Sequence, residues 1–154
     1  MADTSQEKDT RTQAQQDSIA AEARAKEGEA STHETTLEGL REKLGRLDQA
    51  YIDVKAAKEA AEDHKTFYFK KCLERYNDDN LKWVGSTYDK LESDINDVTL
   101  PDVDTYIEEL DGILDAIGNL RTQYENDILD ETTILSGLWK KINSLWDSWK
   151  NFWN

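Results

Sequence analysis

Three short stretches bring together side chains of catalytic or metal-binding type, and each lacks a group that the chemistry requires. His33-Glu34 opens the His-Glu-x-x-His pattern, in which two imidazoles one helical turn apart hold zinc and the glutamate acts as base. Position 37 is leucine, so one imidazole would stand alone. Asp102-Val103-Asp104-Thr105 has the carboxylate spacing of a phosphatase loop, yet no apolar strand precedes it and Tyr106 stands where a small residue is expected. Cys72 lies between Lys71 and Leu73 with His64 eight residues away, a spacing that does not specify a thiolate–imidazole pair. A buried structural thiol is the expectation. The 33 acidic residues supply many carboxylate pairs, which on helices read as solvated faces. No glycine-rich phosphate loop occurs. The chain is therefore expected to be no enzyme and to hold no metal and no cofactor.

The elements behind these residues follow from composition. A chain of 154 residues with one proline, 37% apolar and 34% charged residues reads as a single helical unit, because sheet proteins need more turn residues. The net charge of −14 repels phosphate backbones, so nucleic acid is not an expected partner. One cysteine excludes an internal disulfide and fits either a reduced cytosol or an exported protein that avoids thiols. The polar start Met1-Ala2-Asp3-Thr4-Ser5 and the lack of an 18-residue apolar run argue against a cleaved leader and a membrane span.

Residues 1–33 carry Ile19 as their only large apolar residue after Met1 and are expected to form a disordered or frayed polar tail. Residues 34–131 are expected to form an elongated antiparallel helical hairpin. Its first arm opens on Thr35 with Glu38 three residues on, a capping box. Leu37, Leu40, Leu44, Leu47, Tyr51 and Val54 then recur at spacings of three and four, continued by Ala57, Ala61, His64, Tyr68 and Cys72. Gly39 and Gly45 either admit a close helix or lie on the surface. Phe67, Tyr68 and Phe69, with Tyr76 after them, cover most of the helix circumference, so the tip either packs against a partner or is a thick local core. Asn77 to Asn80 and then Lys82-Trp83-Val84-Gly85-Ser86 form the corner. The return stripe is Tyr88, Leu91, Ile95 and Val98. Pro101 is expected to break it by a kink or short loop. Beyond the break it resumes as Val103, Ile107, Leu110, Leu114, Ile117, Leu120 and Tyr124, widened by Ile113.

Residues 132–154 read as an extra amphipathic helix rich in tryptophan. Trp139, Trp146, Trp149 and Trp153 lie here, four of five in the chain, and three lysines face one aspartate between Ile134 and Asn154. Such a face is too apolar for water. It folds back on the bundle, fills a partner's groove, or lies on a membrane surface.

Two helical arms joined at Trp83-Val84-Gly85 in a small acidic chain resemble the WXG family of Gram-positive type VII secretion. Leu81-Lys82-Trp83-Val84-Gly85 with Tyr88, and Tyr106-Ile107-Glu108-Glu109-Leu110-Asp111-Gly112-Ile113-Leu114-Asp115-Ala116-Ile117, are similar to small accessory proteins encoded beside LXG polymorphic toxins. The resemblance spans roughly residues 36–130 and implies that Trp83 and Gly85 shape the turn. It further implies an all-α non-enzymatic adaptor, or targeting chaperone, that pairs with an LXG domain and a second small helical protein; the tip aromatics and the length of the hairpin add a homo-oligomer as a further expectation. The family's export signal, a tyrosine followed four residues later by an acid, is missing after the second arm, where Ile128 follows Tyr124. A partner would then supply it. The expected location is the bacterial cytoplasm, with export alongside the partner. The partner interface is expected at Phe67, Tyr68, Phe69, Tyr76, Trp139, Trp146, Trp149 and Trp153. An acidic immunity protein that covers a toxin domain, or a membrane-active helical protein, are the alternatives.

Overall fold

The computed structural model describes residues 4–71, 74 and 86–153. All of these are helical, with no strand among the described residues. Helix α1 is Thr4–His64 and passes into a π-helical segment, Lys65–Lys70. Helix α2 is Ser86–Asp94, followed by a π-helical segment at Ile95–Thr99, helix α3 at Leu100–Lys150 and a 3-10 turn at Asn151–Trp153. The expected corner at Trp83 and Gly85, together with Tyr76 and Cys72, lies outside the described residues.

The residues group into two compact units. The first is Met1–Leu44 with Gln123–Asn154, and the second is Gly45–Thr122. In the first unit α1 and α3 pair antiparallel, from Gln16 against Trp149 at one end to His33 against Glu131 at the other. Ala20, Ala23, Ala30 and Leu37 of α1 are buried there with Ile142 of α3. In the second unit the pairing is again antiparallel, with Asp48 meeting Arg121, Lys58 meeting Asp111 and Lys65 meeting Asp104.

Four sequence expectations need correction. Residues 12–33 are not a loose tail: they lie within α1, and their methyl groups pack into the first unit. Small side chains hid this role, since alanine at positions 20, 23 and 30 gives a weak apolar signal while having the best helix propensity of any residue. Nor do residues 132–154 form a separate third helix, because α3 runs without interruption to Lys150. Its seam positions 103, 107, 110, 114 and 117, then 124, 128, 131, 135, 138, 142, 145 and 149, recur at three and four apart from one seven-residue step between 117 and 124, so the repeat marks no boundary at residue 132.

Pro101 does not open a loop. It falls second in α3, directly after the π-helical segment Ile95–Thr99 and Leu100, so it lacks an N–H where the continuous helical run would place a bond. The strain of the join is absorbed upstream by the wider π-helical turn, in which the Leu100 N–H donates to the Ile95 carbonyl and the Thr99 hydroxyl to that of Asp94, each five residues back. Leu120 is also misplaced by the sequence stripe, since it is 44% exposed and the seam passes from Ile117 to Tyr124.

Gly39 and Gly45 have open space where a Cβ would stand, so no neighbour among the described residues needs them. Gly45→Ala is expected to raise stability by about 0.5–1 kcal/mol by removing unfolded-state entropy. Urea unfolding followed by circular dichroism measures this, and a destabilised Gly45→Ala would show that the glycine serves an approach by another helix.

Candidate interaction surface

The tryptophan segment is held by the stretch that looked like a tail. Trp146 Nε1 donates to Glu27 Oε1 at 2.8 Å, and its ring meets Trp149 edge-on at 5.8 Å and 80°. Both indoles are half-buried. The Trp149 carbonyl accepts from Gln16 Nε2 at 3.5 Å, and Lys141 pairs with Glu22 at 3.1 Å. Of the three stated environments for this face, the first unit realises the fold back onto the chain itself. Trp139 is 40% exposed. Trp153 lies in the terminal 3-10 turn, and its side chain is outside the described residues.

At the tip, Phe67 is 58% exposed with the Lys71 ammonium 4.4 Å from its ring centre, a cation–π contact that an exposed site makes weak. Phe69 is half-buried, and the Tyr68 side chain is outside the described residues. Phe67 and Phe69 fall in the π-helical segment, where widening moves them out of the register of α1.

Of the groups weighed for chemistry, His33 and Asp104 have structural partners instead. His33 Nδ1 lies 2.5 Å from Glu131 Oε2. Asp104 stands in the first turns of α3 and binds the Lys65 ammonium, so the Asp-x-Asp stretch is helical and follows no strand. Among the described residues no three His, Cys, Asp or Glu side chains converge as metal ligands.

The second unit has two unlike sides. One is crossed by the Arg121–Asp48 pair at 3.2 Å, the Lys58–Asp111 pair at 2.6 Å and the Lys65–Asp104 pair. Here a groove of about 870 Å³ is lined by Lys55, Lys58, Glu62, Asp111 and Asp115 among others. The hydrogen bond to Asp111 holds the Lys58 ammonium above its ordinary range. These pairs are partly exposed, and such pairs add little to stability.

The other side is apolar. Comparison of the chain with protein-family models, curated proteins and solved structures gave no match. The reading of this side therefore rests on its own geometry. Tyr106, Ile113 and Leu120 are 48%, 46% and 44% exposed, and their seven-residue spacing lines them up along one edge of α3 beside the seam. At one end a recess of about 330 Å³ lies among Ala61, His64, Thr99, Asp102, Val103 and Tyr106. Sequence reading reached Ile113 and Leu120 but counted them toward the chain's own core. Their shared period with Tyr106, one position before the buried repeat, was the signal that separates a second stripe from the first.

Proposed function

We propose that this chain is a non-enzymatic helical adaptor, a targeting chaperone that binds the helical LXG domain of a toxin for type VII secretion in a Gram-positive bacterium. The observation that carries this reading is the apolar stripe at Tyr106, Ile113 and Leu120, which leaves a long helix with a second apolar edge after its first has been buried. The Trp83-Val84-Gly85 motif and its resemblance to the WXG family supply the partner class. Among the described residues no helix is long and apolar enough to cross a membrane, which accords with a partner made of protein.

Co-expression of the tagged full chain with the product of a neighbouring LXG-toxin reading frame tests the proposal. The expected result is a stable complex that needs the toxin's N-terminal helices and forms without its catalytic domain. Binding to the catalytic domain alone would make the chain an immunity protein, and a monomer that ignores the toxin would remove the adaptor function.

A further inference from the structure

The adaptor reading leaves open what chemistry the partner's helix must have, and the second unit constrains it. The stripe runs parallel to a helix axis with one apolar residue every two turns, a period that suits another helix and neither an extended strand nor a compact ligand. Across from it, α1 presents Ala50, Ala57 and Ala61, all half-buried. Small residues there keep the wall low, so a third helix can approach both. The polar border is acidic: Asp102 and Glu109 on α3 and Asp53 on α1 are exposed on the outer edges, with Arg46 as the basic residue toward one end.

Resting on the adaptor reading, we propose that the Tyr106–Ile113–Leu120 face docks one amphipathic partner helix whose apolar stripe is flanked by lysine and arginine. Charge complementarity selects this occupant over a second copy of the chain. A copy would bring the same acidic border and a further net charge of −14, and like charges across an interface oppose association. A basic border is attracted by both the local carboxylates and the field of the whole chain.

The test uses the full chain and two labelled designed peptides of about four heptads. Both carry the same leucine stripe, flanked in one by lysine and in the other by glutamate. Fluorescence anisotropy at about 0.15 M salt is expected to show binding of the lysine-flanked peptide alone. Ile113→Glu and Leu120→Glu should each weaken it at least about tenfold, equivalent to 1.4 kcal/mol. Ile52→Glu adds the same charge at a residue 58% exposed off the stripe and should not weaken it, since non-specific attraction to a more acidic protein would only grow. Tyr106→Gln, which adds no charge, should also weaken binding, and circular dichroism melts should match the parent for all four variants.

Equal binding to all variants, or no binding of the lysine-flanked peptide, overturns the proposal. A dimer of the full chain that Ile113→Glu dissociates in sedimentation overturns it in favour of a second copy. The peptide result is independent of the toxin. Peptide docking on the stripe with no toxin binding would leave this face standing and remove the adaptor function. Toxin binding that ignores Ile113→Glu would do the reverse.

Discussion

Ile142→Ala is expected to lower stability by about 2–5 kcal/mol, the range for emptying a buried aliphatic site that cannot fully collapse. Ile142 is 1% exposed, the lowest value for any large side chain in the described residues. It shares the first unit with Ala20, Ala23 and Ala30, which have no spare side-chain atoms to fill a cavity. Urea unfolding followed at both the helix and tryptophan signals gives the number. A loss under about 1 kcal/mol would mean that this part of α3 does not rest on α1 as described.

Removal of residues 1–33 should have a larger effect. A disordered tail would be dispensable, and its loss would leave tryptophan emission unchanged. Here the deletion strips the cover from Ile142 and from the half-buried Leu138, Leu145, Trp146 and Trp149. It also removes Glu27 and Gln16, the partners of Trp146 and of the Trp149 carbonyl. Each large apolar side chain fully returned to water costs about 1.5–3 kcal/mol, so the first unit should not survive. The expected readouts are red-shifted tryptophan emission, binding of an apolar dye, and association of the truncated chain. A truncated chain with native emission and an unchanged melt would restore the tail.

The helical class and the repeat on α3 were legible because leucine, isoleucine and valine mark the seam at spacings of three and four. The α1 half of the first unit was not, because its seam is written in Gln16, Ala20, Ala23, Glu27 and Ala30. Alanine reads as propensity without burial, and Glu27 reads as surface until the indole that it accepts from is known. The two misreadings share one cause: each segment's partner lies 98 to 133 residues away, so neither reveals itself by local pattern. Pro101 misled for a different reason. A local rule about proline was correct, but its strain is relieved by a π-helical turn, which has no clear composition of its own.

The antiparallel pairing also sets an order of assembly. In the second unit Lys65 and Asp104 are 39 residues apart in sequence and Lys58 and Asp111 are 53 apart. In the first unit the separations are 98 for His33 and Glu131, and 133 for Gln16 and Trp149. Loop closure grows costlier with length, and contacts distant in sequence form later. The pairs of the second unit therefore form before those of the first. The alanine-lined face, which water tolerates, waits longest for its mate. The tryptophan-rich turns are made after Gln16 and Glu27, so their cover already exists when they appear.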